Sequence, residues 1–284
     1  MCDTCGCNIT PGNRHLVEVN GKLAKTEDGK AAVDVLHSLL HENDHQAAHN
    51  REHFDRRQVL AINLMSSPGS GKTTLLEHTI EKLGNELNIA VVEGDLETEN
   101  DANRIREKGV PAVQITTGSA CHLDAHMVHD GLHQLELDGI DILFIENVGN
   151  LVCPASFDLG HHKNVTLLSS TEGDDKPSKY PVMFRAADLM LITKSDLLPV
   201  LDDFDTERAT ENFRKLAKDN PVLTLSSKKD LGLETWINWL KQSLQEHREQ
   251  LAAGVSQHPD IQPDGAALHA HGHNHGHGHP HHHE

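Results

Sequence analysis

The chain has 284 residues, 25 basic and 43 acidic, for a formal net charge of −18 at pH 7. That length suits one sizeable α/β domain with appendages, and a hydrophobic fraction of only 37% implies that part of the chain stays outside any core. So large an excess of negative charge excludes polyanions, and neither nucleic acid nor an anionic membrane surface is an expected partner.

Residues 1–32 show no clear hydrophobic periodicity and are expected to form a tail. Within it Cys2, Cys5 and Cys7 put three thiols within reach of one ion, and Gly6 permits the tight backbone that wrapping needs. Three thiolates with a terminal amine or backbone nitrogen suit planar Ni(II), and also Zn(II) or Cu(I). The five cysteines are odd in number and crowded at one end, which does not look like a disulfide framework. The start lacks the basic and apolar regions of a signal peptide, and no apolar run approaches the roughly 20 residues of a membrane span. A reducing cytoplasm is the expected compartment.

From Val33 to Arg57 the pattern turns helical, with Leu36, Leu39, Leu40, Ala47 and Phe54 on one broad apolar face. Apolar, β-prone runs follow at Val59–Met65, Ile89–Glu93, Ala112–Thr116, Ile142–Glu146, Val165–Ser169, Leu189–Thr193 and Val222–Ser226. Helical stretches separate them, among them Thr73–Leu83, Asn100–Lys108 and Leu123–Leu135. Continuous apolar strands between helices predict an α/β fold with a mostly parallel sheet covered on both faces. A last amphipathic helix, from Leu233 to about Leu251, offers Trp236, Leu240 and Leu244 to the core. The expected division is a cysteine-cluster tail over 1–32, a P-loop domain with its leading helix over 33–255, and a histidine-rich tail over 256–284.

The first strand runs into Ser66-Ser67-Pro68-Gly69-Ser70-Gly71-Lys72-Thr73-Thr74, a P-loop with Ser66 at the usual first glycine. Backbone N–H groups from Gly69, Ser70, Gly71 and Lys72 to Thr74 can wrap a β-phosphate at a helix N-terminus. Lys72 would neutralise the β/γ oxygens, and the Thr73 hydroxyl would ligate Mg²⁺. Two carboxylates at strand ends, Asp95 and Glu146, are placed to meet the cation or a water, and the N–H of Gly149 to sense a γ-phosphate. Thr193-Lys194-Ser195-Asp196 resembles the guanine-reading Asn-Lys-x-Asp with Thr for Asn, and Ser226-Ser227-Lys228 resembles the loop that contacts guanine O6. A carboxylate only accepts, so Asp196 matches the N1–H and amino donors of guanine and GTP is favoured over ATP. With no clear catalytic arginine or glutamine, intrinsic hydrolysis is expected to be slow.

Cys121, His122 and Cys153 make a Cys-His-Cys set if their segments are neighbours, one that a second subunit could complete; on spacing alone the two cysteines serve equally as small buried hydrophobes. Histidine recurs at helical spacing in His37, His41, His45, His49 and His53, and again in His122, His126, His129 and His133. Both stripes read as solvated faces of amphipathic helices. At the end of the chain His269, His271, His273, His275, His277, His279, His281, His282 and His283 lie among Gly, Ala, Asn and Pro, a composition able to hold several Ni(II) or Zn(II) ions weakly.

A G domain preceded by Met-Cys-x-x-Cys-Gly-Cys closely resembles the hydrogenase maturation nickel-incorporation GTPases, the HypB family. The resemblance rests on Ser66–Thr74, on Gly118-Ser119-Ala120-Cys121-His122-Leu123-Asp124, on Glu146 to Pro154 and on Thr171 to Pro177. It implies a SIMIBI-type P-loop GTPase acting as a nickel metallochaperone for the hydrogenase large subunit, beside a zinc-containing nickel-chaperone partner. It also implies a tight nickel site at Cys2, Cys5 and Cys7, and a Zn or Ni site at Cys121, His122 and Cys153 near a nucleotide-dependent homodimer interface. The alternatives are a protein primarily for nickel storage, or a related chaperone GTPase for another metalloenzyme. The short path from Glu146 through Gly149 to Cys153 is expected to couple nucleotide state to metal affinity.

Overall fold

The computed structural model describes residues 18–19, 22–23, 32–95, 100–118 and 120–261, with side chains from Leu40 onward. The expected ligands Cys2, Cys5 and Cys7, and His269 to His283, lie outside the described residues. In chain order the elements begin with β1 (Glu18–Val19) and β2 (Lys22–Leu23), an antiparallel pair inside the segment read as a tail. There follow α1 (Ala32–Arg56), β3 (Leu60–Ser66), α2 (Lys72–Leu83), β4 (Ile89–Asp95), α3 (Asn100–Arg106), β5 (Ala112–Thr116), α4 (Ala125–Leu132) and β6 (Ile142–Glu146). The second half holds β7 (Lys163–Ser169), α5 (Lys176–Lys179), α6 (Pro181–Arg185), β8 (Leu189–Thr193), α7 (Thr206–Arg214), β9 (Val222–Thr224) and α8 (Leu233–Ala252).

Seven strands form one parallel sheet in the order β5-β4-β6-β3-β7-β8-β9. Both faces are covered, which is why β3 and β6 are apolar and buried at nearly every position rather than alternating. On one face α2, α3 and α8 pack through Leu76, Ile80, Ile105, Trp236 and Leu240 onto Ile62, Val91 and Phe144. On the other, Phe54 of α1 and Val128 of α4 pack on Ala61, Val92 and Leu143, while Phe184 and Phe213 cover Met190 and Ile192. Burying Trp236 wholly leaves its indole N–H needing an acceptor, and Thr79 Oγ1 supplies one at 2.9 Å.

Because the strands are parallel, their carboxyl ends lie along one edge, where α/β sheets place ligands. There Glu93 of β4 is registered against Glu146 of β6, and Ser169 of β7 against Thr193 of β8. The end of the chain departs from expectation. Residues 256–261 were read as part of the tail, yet Pro259 is buried and Asn164 Nδ2 donates to the Asp260 carbonyl at 3.1 Å. A side-chain amide at the start of β7 recruits a backbone acceptor that composition alone does not reveal.

Candidate nucleotide and metal site

The loop between β3 and α2 is built around Gly71, whose φ of 94° places it in the left-handed region as it caps α2. Ser66, where a P-loop usually has glycine, is wholly buried and accepts from Lys72 Nζ at 2.9 Å. The substitution thus gives the lysine a resting partner inside the loop. Thr73 Oγ1 donates to Glu146 Oε1 at 3.0 Å, and Lys72 Nζ lies 4.0 Å from the same oxygen. Burial, then the neighbouring Glu146, pushes the Glu93 carboxyl well above its usual range. Burial also raises Glu146, against the pull of Lys72. Glu93 Oε1 and Glu146 Oε2 are buried with no donor from a third residue, and the two carboxyls are hydrogen-bonded to each other, so they share a proton that a divalent cation would displace.

Above these groups opens a cavity of about 460 Å³ that includes Gly69, Lys72, Thr73, Asp95, Glu146 and Gly149 in its walls. Gly71, Thr74 and Lys194 also line a second, adjoining cavity of about 290 Å³, together with Thr193, Asp196, Ser226, Ser227 and Lys228. The expected phosphate and base residues therefore share one groove. Two bonds tie its halves together: Thr193 Oγ1 donates to the Ser70 carbonyl at 2.8 Å, and Lys194 Nζ to the Gly69 carbonyl at 2.8 Å. Ser226 Oγ donates to Asp196 Oδ1 at 2.5 Å, orienting the carboxylate at the cavity wall.

Three residues around this groove were given no role by the sequence, although Asn147 and Glu172 fall within the strings that carry the resemblance. Glu172 Oε1 accepts from Ser70 Oγ at 2.6 Å, bracing the phosphate loop from β7. Arg104 lines the cavity on α3, held by Glu77 at 2.6 Å and Asp101 at 2.8 Å. Asn147 accepts through Oδ1 from Leu123 N at 3.1 Å and donates to Asn63 Oδ1 at 3.2 Å.

That last contact matters for the cysteines, because Leu123 directly follows His122. Cys121, His122 and Cys153 converge: one ligand atom from each lies within 4.8 Å of the others. The two sulfurs are 3.2 Å apart, and Cys121 Sγ is 3.8 Å from His122 Nδ1. The His122 ring stacks on Phe157 at 4.0 Å, which fixes its plane. Burial, then Cys121, pushes the Cys153 thiol up to about 12, so an arriving cation has a proton to displace. A second ligand-type group, Asp55, His162 and His247, is differently disposed. His162 Nδ1 accepts from Ala61 N at 2.9 Å, so its proton sits on Nε2 and points at Asp55 Oδ1, 3.0 Å away. The nitrogen facing that group is already protonated, which makes it a buried hydrogen bond rather than a metal site.

Residues 147–153 therefore touch both chemistries. A Cβ on Gly149 would stand 2.8 Å from Pro68 Cα and 2.9 Å from Pro68 N, closer than atoms pack. Gly149→Ala is expected to weaken nucleotide binding roughly tenfold, the cost of overpacking by one methyl group, in a fluorescent-nucleotide titration. Unchanged affinity would show that loop and P-loop part without cost.

Comparison with known proteins agrees with this geometry. Residues 60–224 match the family described as CobW/HypB/UreG, nucleotide-binding domain. The chain is 54% identical over 210 residues to the hydrogenase maturation factor HypB of Azotobacter chroococcum, covering 74% of this chain and 68% of that protein. It is 51% identical over 286 residues to HypB of Escherichia coli K12, covering 85% and 98%. The crystal structure of HypB from Helicobacter pylori in complex with nickel superposes with a TM-score of 0.69 at 45% identity, covering 72% of this chain and 96% of that one. Among the described residues no helix is long and apolar enough to cross a membrane. A P-loop at the head of a seven-stranded parallel sheet, with these relatives, places the chain in the HypB family of hydrogenase maturation factors.

Proposed function

We propose that the protein is a slow GTPase that times the delivery of nickel to the hydrogenase large subunit. The observation that carries this reading is the shared segment 147–153, which lies against the phosphate loop at Gly149 and supplies Cys153 to the Cys121–His122 pair. In this reading Gly69 to Thr74 grip the phosphates, while Asp196, with Lys194 and Ser226 to Lys228, selects guanine. Mg²⁺, where bound, neutralises charge on the transferring phosphoryl group, and Thr73, Glu146 and Asp95 are the residues that would hold it. The buried carboxyl pair of Glu93 and Glu146, with no donor from a third residue, supports a cation there.

Nickel is the cargo. Cys121, His122 and Cys153 offer it two sulfurs and one imidazole, a set that also suits Zn(II). Three protein ligands leave a position open to a second copy of the chain, to the zinc-containing chaperone partner or to solvent. Cys2, Cys5 and Cys7 and the terminal histidines are proposed as further nickel ligands. When the γ-phosphate leaves, Gly149 shifts relative to Pro68, Asn147 re-aims Leu123 and its neighbour His122, and Cys153 moves with the loop. Metal affinity then follows nucleotide state.

The test uses the full chain with Cys2, Cys5 and Cys7 changed to Ser. A thiolate-to-nickel charge-transfer band then reports only Cys121 and Cys153, since histidines contribute none. Nickel is titrated into protein loaded with GDP and with a non-hydrolysable GTP analogue. A difference of roughly fivefold or more is expected, the range of ordinary coupling energies. Equal affinities in the two states would remove the coupling.

A further inference from the structure

The two histidine stripes meet in space. Where α4 packs on α1, the His49 and His53 rings lie 4.5 Å apart, His49 and His129 5.2 Å, His53 and His129 6.3 Å, and His129 and His133 4.6 Å between centroids. His41, His45, His49, His126 and His133 are exposed, as a solvated stripe requires, while His53 and His129 are half-buried where the helices meet and His122, expected in the second stripe, is buried. We propose that His129 and His133, with His53 of the facing helix moving in as a third ligand, form a binding site for a borderline divalent transition-metal ion such as Zn(II) or Ni(II), separate from Cys121, His122 and Cys153.

Three observations carry this. His129 Nε2 and His133 Nε2 face each other at 3.2 Å. Two bonds of about 2.0–2.1 Å to a tetrahedral ion hold ligand nitrogens about 3.3 Å apart, so the pair already has the separation an ion needs, with the His133 proton moving to Nδ1 as the ion replaces it. Next, the tautomer is set from behind. The wholly buried Asn50 donates through Nδ2 to the Ala125 carbonyl at 2.8 Å and the Leu159 carbonyl at 3.1 Å, which makes its Oδ1 an acceptor. That oxygen lies 3.2 Å from His129 Nδ1, so the ring proton sits on Nδ1 and the Nε2 lone pair points outward at His133. An imidazole that donates its far N–H to a fixed oxygen is the arrangement that orients metal-binding histidines. Finally, the pair occupies the last turn of α4 and its C-cap, where the helix dipole favours a cation, beside a cavity of about 270 Å³. The one cation in that wall, Arg57, is engaged by Asp138 at 2.9 Å. His53 of α1 lines the same cavity with Nδ1 3.5 Å from Arg57 Nη1, and would swing in as a third ligand, so that the ion clamps α1 to α4. This site depends neither on nucleotide nor on the thiols, and its failure would leave the proposed GTPase reading intact.

Two measurements on the full chain test it. Histidine modification by diethyl pyrocarbonate is read peptide by peptide, with and without Zn(II) or Ni(II). Modification of His129 and His133 is expected to slow roughly tenfold at ten times the Kd, with exposed His126 on the same helix as the unprotected control. Equal rates at His129 and His133 with and without millimolar metal would overturn the site. In thermal melts, metal is expected to raise Tm by roughly 3–6 °C through a clamp between two packed helices. In protein already carrying Cys121→Ser and Cys153→Ser, metal should still raise Tm, and adding His129→Gln with His133→Gln should abolish that remaining rise. No rise in the Cys121→Ser, Cys153→Ser protein would assign the stabilising ion to the cysteines and sink the proposal.

Discussion

If Asp196 reads guanine as proposed, Asp196→Asn is expected to shift the preference from guanine to xanthine. Ser226 Oγ holds Oδ1 of Asp196 at 2.5 Å, so the side chain's orientation survives the change and only its second atom becomes a donor. An amide N–H placed against the N1–H and exocyclic amine of guanine leaves two buried donors facing each other. Xanthine presents a carbonyl at that position and accepts. Losing a buried polar match and creating a mismatch costs several kcal/mol, so GTP affinity is expected to fall about a hundredfold or more while XTP affinity rises. Competition between GTP and XTP against a fluorescent GDP reads the ratio directly. An unmoved ratio would take Asp196 out of base recognition.

Acid weakens the fold through a buried imidazole. His161 is fully enclosed, donates to Asn164 Oδ1 at 2.8 Å through Nε2, and has its pKa brought down to about 4, chiefly by burial. In the unfolded chain the same group titrates at about 6.5. Between those values the unfolded state binds the proton and the folded state does not, so stability is complete above about 6.5 and is lost as pH falls toward 4. The loss from this residue reaches about 2.5 kcal/mol at pH 4.5, a sizeable share of ordinary domain stability. The raised carboxyls Glu93 and Glu146 act in the opposite sense over the same range, so the difference between proteins is the measure. His161→Gln keeps a donor for Asn164 and removes the titration. Urea unfolding at pH 7.5 and 4.5 should show the variant losing less than the parent by that amount; parallel losses would assign acid lability elsewhere.

The sheet was legible because its strands are buried on both faces and therefore read as unbroken apolar runs. β5, β6 and β8 fall where periodicity placed them, and the others differ by up to two residues at their ends. The P-loop and base-reading segments were legible because their glycines, lysines and carboxylates sit at fixed offsets. What stayed hidden depends on pairing between distant segments. The Glu93–Glu146 couple arises from strand register, which no local pattern encodes. Arg104 enters the groove because α3 packs beside α2 and Glu77 holds it there. Each histidine stripe was visible from its spacing of three or four, but that α1 and α4 turn those stripes toward one another follows from how the helices share one face of the sheet. The Thr-for-Asn and Ser-for-Gly departures also make sense only in three dimensions, where Thr193 grips the Ser70 carbonyl and Ser66 receives Lys72.

The bond from Thr193 to Ser70, with its neighbour from Lys194 to Gly69, makes the groove a ruler. The base-reading end cannot drift from the phosphate-gripping end without breaking both. A nucleotide bound as proposed would thus be gauged for length as well as for its two ends, and ordering one end would strengthen binding at the other. Guanosine and pyrophosphate offered separately should bind far more weakly than their linked form, as rigid bivalent sites do. Loosening either bond would then show first as lost discrimination between GTP and its fragments.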